Sequence, residues 1–435
     1  MARTESAVQK QAASHHAALL PAGQLFPFLL VTGLFFLWGI PNNLNDILIR
    51  QFMTSFALSR LQAGLVQSAF YMGYFLLALP AAMMMRRFGY KAGFLAGLFL
   101  FGAGAVLFWP AAIADRYAFF LFALFVVAAG LSFLETAANP FIARFGEAAS
   151  AERRLNFSQA FNPLGSITGV LIGTVFIFSG IELTGGQIAH LQALGQYHAY
   201  LQSETMRVVR PYIVIGLVAW AWALMLARTR FPALAQAGEP QGAPRELLHD
   251  RNYLLSIVAQ FLYVGAQVGT WSYFIQYVQD YTSSGEKLAG YLLTGTLVAF
   301  GVGRFLSSWM MRYISPGKLM GFYSLANVVL VGVGVAHPGW LGLWCIFATS
   351  FFMSVMYPTI FALGIRDLGA NTKLGASFIV MAIVGGAVLT PLMGWIAERA
   401  HGSAPAYWVP LLAYLYVAWF SLRAPSVPKP SPAAC

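Results

Sequence analysis

Charge is what this sequence has least of. Only 9% of its 435 residues are Asp, Glu, Lys or Arg, against 59% hydrophobic ones, and the mean hydropathy is +0.67. No ordinary soluble domain has that balance, so the chain reads as an all-α polytopic membrane protein. Cysteine is nearly absent: Cys345 and Cys435 make no disulfide framework and leave the redox compartment unread. The sequence has no P-loop, no HExxH and no cysteine cluster, which argues against ATP hydrolysis and predicts neither metal nor cofactor. Histidines His15, His16, His190, His198, His249, His337 and His401 all fall outside the apolar stretches or at their ends, which leaves no histidine proton relay. The formal net charge of +11 is spread over loops instead of forming a patch, so nucleic acid is not an expected partner.

What is present is a long succession of apolar runs. At about 20 residues per crossing the length accommodates about a dozen helices. Spans are predicted at 26–52, 62–85, 92–113, 117–143, 157–180, 211–229, 252–278, 288–311, 317–336, 340–364, 374–397 and 405–422. Residues 1–25 contain no apolar segment of the signal-peptide kind and are expected to form a cytoplasmic tail, with a second tail at 424–435. Of the 26 lysines and arginines, only Arg50, Arg60, Arg116, Arg207, Arg210, Lys287 and Arg399 fall on the side away from the termini, and Arg304 falls inside a span. That asymmetry predicts that both termini are cytoplasmic. The segment 231–250, with Pro232, Gly238, Pro240, Gly242 and Pro244, reads as a linker between two six-helix halves, 26–230 and 251–423. The halves echo each other. Spans 2 and 8 both end in a basic turn closed by Gly, and spans 4 and 10 both carry a late proline, in NPFIARFG at Pro140 and YPTIFALG at Pro358.

Two carboxylates stand inside the predicted spans, Asp46 and Glu135. A central charge costs about 3 kcal/mol on insertion scales, so an intramembrane acid is ordinarily functional and faces protein or a water cavity. Asp46 follows Pro41, Asn42, Asn43 and Asn45 in the stretch FFLWGIPNNLNDILIRQF, where the proline is expected to break the helix. A carboxyl group in low dielectric exchanges its proton near physiological pH, which suits Asp46 and Glu135 to proton coupling. Arg304, a lone cation inside a span, suits a charge partner for the acids, but the expectation is that it snorkels to the cytoplasmic end of span 8. Around the acids lie amide and aromatic residues at helical spacing: Gln260, Tyr263, Gln267 and Trp271 in span 7, Gln67, Tyr71 and Tyr74 in span 2, and Gln159, Asn162 and Ser166 in span 5. Trp38, Asn42 and Asn43 add to the set. Amides hydrogen-bond hydroxyls and aromatic faces stack on the apolar face of a sugar ring, so the mixture suits a neutral polyhydroxylated solute. Singly, each such residue is also explained as helix glue or as part of an interfacial aromatic belt.

The motifs NNLNDIL at 42–48, FLETAANPF at 133–141, LNFSQAFN at 155–162 and YPTIFALGI at 357–365 together resemble the fucose:proton symporter family of the major facilitator superfamily. The resemblance implies the major facilitator fold and import of a monosaccharide, L-fucose first, with a proton as coupling ion. Asp46 then corresponds to the proton-coupling aspartate, Glu135 to a cavity glutamate serving recognition and coupling, and Asn162 to a further cavity position. It also implies a monomer in the bacterial inner membrane, with lipid and sugar as partners. A glucose/galactose-type or amino-sugar carrier, with sodium as a possible ion, stays open, as does a membrane enzyme acting on lipid-linked sugar. The short basic loops lack the metal-binding or acidic motif such an enzyme ordinarily carries.

Overall fold

The computed structural model describes residues 23–56, 65–177, 185–231 and 244–423. Among the described residues twelve helices are long and apolar enough to cross a membrane. They run as α1 (Leu25–Ser55), α2 (Leu65–Phe88), α3 (Tyr90–Val106, continued by Phe108–Ala114), α4 (Tyr117–Arg144), α5a and α5b (Ala151–Gln159 and Phe161–Ile172) and α6 (Tyr197–Arg228). Beyond residue 250 come α7 (Arg251–Ser272, continued by Phe274–Thr282), α8 (Glu286–Met310), α9 (Pro316–Ala336), α10a and α10b (Trp340–Met353 and Met356–Ile365), α11a and α11b (Thr372–Met381 and Gly385–Arg399) and α12 (Trp408–Arg423). Hydrocarbon offers the backbone no partner, so apolar runs of this length satisfy their own N–H and C=O groups as helices.

Helices α1 to α6 pack chiefly on one another, as do α7 to α12. The two groups meet where α11a lies against α2 and α4, where α10b lies against α5a, and where α8 lies against both pieces of α5. In the first group the closest approach is between α1 and α5b, where a Cβ on Gly39 or Gly165 would fall on the backbone of the other helix. Small residues of this kind let membrane helices gain dispersion contacts that a hydrophobic driving force cannot supply there.

Three features depart from the sequence reading. First, α1 runs unbroken through Pro41 for 31 residues. The carbonyl that Pro41 frees is that of Leu37; α1 stays continuous against α5b, whose Asn162 Nδ2 and Ser166 Oγ donate to the neighbouring carbonyls Phe35 O and Gly39 O, both at 3.3 Å. Second, α6 begins at Tyr197 and not at 211, so its 32 residues extend about 48 Å and project beyond the hydrocarbon. Hydropathy reads only the lipid-facing part, whereas a helix continues through charged residues once water can receive them. Third, Glu152 and Glu204, expected in loops, lie in α5a and α6 and are buried. Glu204 receives Gln51 Nε2 at 3.2 Å and Arg207 Nε at 3.3 Å.

One end of the bundle gathers the basic residues and is called here the basic face. There Lys91 Nζ, at the start of α3, donates to Ala227 O and Thr229 O at the end of α6, at 2.8 and 3.0 Å. Arg154 caps the end of α4 through Ile142 O at 2.7 Å and also binds Ser150 Oγ at 2.7 Å. Such charged donors satisfy the carbonyls that a helix C-terminus leaves over. Of the expected linker, residues 232–243, and of the expected tails, residues 1–22 and 424–435, lie outside the described residues.

Candidate functional site

The site is built on α5a. Glu152, Asn156 and Gln159 stand at i, i+4 and i+7, hence on one face. Each meets a residue of the last six helices. Glu152 pairs with Arg366 beyond the end of α10b. Asn156 Nδ2 donates to Thr359 Oγ1 at 3.2 Å. Gln159 receives Arg304 Nη1 on both its side-chain and its main-chain oxygen, at 3.0 and 2.6 Å. The other end of the Gln159 amide donates to Asn139 Oδ1 on α4 at 2.8 Å.

Arg304 does not snorkel. It is 3% exposed, its Nε donates to Ser354 O at 3.0 Å, and its guanidinium lies 4.6 Å from the centre of the Phe300 ring. The physical reason is the break in α10. Between Met353 and Met356 the helix is interrupted, and the carbonyls there need donors. Ser354 O takes Arg304, and Met353 O takes Tyr263 Oη at 2.9 Å. A buried arginine fork that satisfies several acceptors at once is more stable in place than stretched towards a distant headgroup. Phe300 also meets Trp271 in a T-shaped contact with centroids 5.1 Å apart, and Trp271 Nε1 donates to Ser350 Oγ at 3.1 Å.

Glu135 projects from α4 into the same region and is 7% exposed. Its Oε1 accepts the hydroxyl of Tyr357 on α10b at 3.2 Å, and Tyr74 of α2 also donates to the carboxylate. Ser132 Oγ holds the Tyr74 main chain at 3.0 Å. Arg304 lies within electrostatic reach of Glu135, Tyr263 and Tyr357. The result is one polar cluster that joins the two helix groups near mid-membrane.

Of the residues expected at the site, Tyr74, Glu135, Gln159, Tyr263 and Trp271 come together in this cluster. Asn162 faces α1, as does Ser166. Trp38 is buried with its ring 4.3 Å from that of Phe35. Tyr71 is half-buried on α2 and reaches towards Gly386 on α11b; Gln67 is half-buried one turn earlier, and Gln267 is half-buried on α7. Gln260 is fully buried, and neither end of its amide has a partner. Asn42 is half-buried, with its Oδ1 unpartnered. Asn43 and Asp46 lie on α1, but their side chains are outside the described residues. Among the described residues no group of three or more His, Cys, Asp or Glu forms a metal site.

Sequence reasoning missed Arg304, Tyr357 and Asn139 as cluster members. The last two had a signal: they stand beside Pro358 and Pro140 in the repeated motifs, where helix geometry in both halves is locally special. Arg304 had none beyond being the one cation inside a span.

Comparison with known proteins agrees with this architecture. Residues 27–383 match the Major Facilitator Superfamily model. The chain is 41% identical over 423 residues to the L-fucose-proton symporter of Escherichia coli, covering 94% of this chain and 97% of that one. It is 34% identical over 402 residues to the glucose/galactose transporter of Brucella abortus, covering 91% and 93%. The crystal structure of FucP, a transporter of the same superfamily in the outward conformation, superposes with a TM-score of 0.84 at 41% identity, over 92% of this chain and 98% of that one. The chain therefore belongs to the major facilitator superfamily, in the family of the L-fucose-proton symporters, and is a membrane transporter, not an enzyme.

Proposed function

We propose that the protein imports a neutral monosaccharide, L-fucose, together with a proton by alternating access between its two six-helix halves. The observation that carries this reading is the bond from Tyr357 to Glu135: a buried carboxylate on one half is the acceptor for a hydroxyl on the other. Adding a proton to Glu135 removes the negative charge that Tyr357 and Arg304 address, so protonation and the contact between halves are linked. The bonds from Glu152, Asn156 and Gln159 to the second half all lie between mid-membrane and the basic face, which supports a state closed at that face. With the basic face cytoplasmic, this state receives sugar and proton from outside. Trp271, with Gln67, Tyr71 and Gln267, offers aromatic surface and amides for a sugar ring, and Trp38, Asn43, Asn162 and Gln260 stay candidates on the helices that flank it.

Asp46 is the proposed principal proton site, on the helix that carries Asn42 and Asn43. Asp46→Asn imitates its protonated form permanently. The variant should still exchange labelled L-fucose across a liposome membrane but fail to accumulate it against a gradient, because exchange does not require proton release and net uptake does. Accumulation at the wild-type level by this variant would remove Asp46 from the coupling scheme.

A glucose/galactose specificity is the second reading, supported by the Brucella relative. Uptake into proteoliposomes of labelled L-fucose, D-glucose and D-galactose, under an imposed proton or sodium gradient, separates the two. L-fucose uptake driven by protons alone is expected, and sodium-driven uptake of glucose or galactose would reverse the assignment.

A further inference from the structure

We infer that the start of α1 and the end of α6 form a binding site for the headgroup of an anionic phospholipid in the leaflet at the basic face. A cavity of about 530 Å³ lies there, lined by Gln24, Phe26, Pro27, Met225, Arg228 and Arg230 among others. Its two arginines are exposed, and among the described residues neither forms an ion pair with an acid. They are also not spent on the carbonyls at the end of α6, since Lys91 takes those of Ala227 and Thr229. Among the described residues the site thus keeps two guanidinium groups without an acidic partner, and their planar forks suit a phosphodiester.

The apolar walls point to a lipid as the source of that phosphate. Phe26 and Met225 line the cavity and are exposed at 61% and 43%, and Leu29 and Leu224 continue the exposed apolar surface along α1 and α6 into the membrane. An anion held between the arginines would have acyl chains beside these residues, and basic pockets between membrane helices at such a depth recognise anionic headgroups. The chain's own adjoining segments are poor candidates by charge. The tail 1–22 carries Arg3 and Lys10 against Glu5, and 232–243 carries Glu239 as its one charged residue. The occupant that complements the charge is phosphatidylglycerol or a lipid like it.

The test is native mass spectrometry of the full-length transporter in detergent, titrated with dioleoyl phosphatidylglycerol, with dioleoyl phosphatidylcholine, or with inorganic phosphate. Two variants are compared, Arg228→Gln/Arg230→Gln and, as a charge-matched control elsewhere on the basic face, Lys318→Gln/Arg423→Gln. Melting curves establish that both are folded. Wild type should retain phosphatidylglycerol in preference to phosphatidylcholine. The first variant should bind it about 30-fold more weakly, the expectation for losing two basic contacts. The control should bind it as wild type does. Retention unchanged in the first variant, or lost equally in the control, would overturn the site. Equal retention of phosphatidylcholine, or displacement of the lipid by equimolar phosphate, would overturn the anionic-lipid source.

Discussion

Helix α4 is the fourth of the first six membrane helices and α10 the fourth of the last six, and each carries a proline in its second part. Helix α4 is continuous from Tyr117 to Arg144 with Pro140 inside it, whereas α10 is interrupted between Met353 and Met356 and resumes with Pro358 in the first turn of α10b. A proline within a helix leaves the carbonyl four residues earlier without its N–H; for Pro358 that carbonyl is Ser354 O, at the interruption, and Arg304 supplies the donor instead. The two helices then face each other, because Glu135 of α4 accepts from Tyr357 of α10b. The carboxylate therefore sits on an unbroken element and its donor on a jointed one. The joint is held by Arg304 and Tyr263, both from the second half, and Arg304 also reaches across to Gln159. This difference teaches where a change in the charge of Glu135 can be converted into movement: at the joint, where backbone groups depend on side chains that can leave.

The comparison is broken most severely by Arg304→Met. The substitution roughly keeps the stem but leaves Ser354 O and Gln159 without their donor in a buried setting. The loss is expected to be about 3 kcal/mol in stability and about 100-fold in uptake. Thermal melting and proteoliposome uptake are the measurements, and Arg304→Lys should recover only part of either, since an ammonium cannot span both acceptors. Uptake and melting at wild-type values in Arg304→Met would mean that the joint holds without its cation.

A smaller effect is expected from Glu135→Gln, which keeps an acceptor for Tyr357 and removes the titratable group. Sugar affinity should fall by less than tenfold, about 1 kcal/mol for one weakened hydrogen bond, and its dependence on pH should flatten. The sign follows from the mimicry: the amide behaves as the protonated acid at every pH, so the variant should resemble wild type at low pH and diverge from it as pH rises. Equal pH profiles for variant and wild type would sever Glu135 from coupling.

The smallest change is predicted for Pro358→Ala. The restored N–H would address Ser354 O, the carbonyl four residues earlier, which Arg304 already occupies, so stability should move by less than about 0.5 kcal/mol, within the range of substitutions that touch no special feature. A shift of several degrees in the melting temperature would show that this proline itself maintains the interruption, and would sharpen the contrast with Pro140.

Much of the scaffold was determined by the sequence alone, for a reason peculiar to membranes. Hydrocarbon forces an apolar run of about 20 residues to become a helix whatever its neighbours do, so the twelve spans were readable without any knowledge of packing. Glu135 was readable on the same ground, because the cost of an acid in hydrocarbon marks it before its partners are known. What a residue touches is another matter. Arg304 looked like a cation with a lipid surface to reach; only the meeting of α8 with α5a and α10 supplied three buried acceptors and turned it inward. Glu152 looked like a loop acid until Arg366, far along the chain, came to lie beside it. Pro41 looked like a break because sequence shows the donor it lacks and not the close packing of α5b along α1. In each case the deciding partner comes from a helix distant in sequence, and its position follows from how helices with small residues fit against one another. The tertiary structure alone fixes that fit, since the bilayer imposes helicity on every span equally and gives no preference for which faces meet.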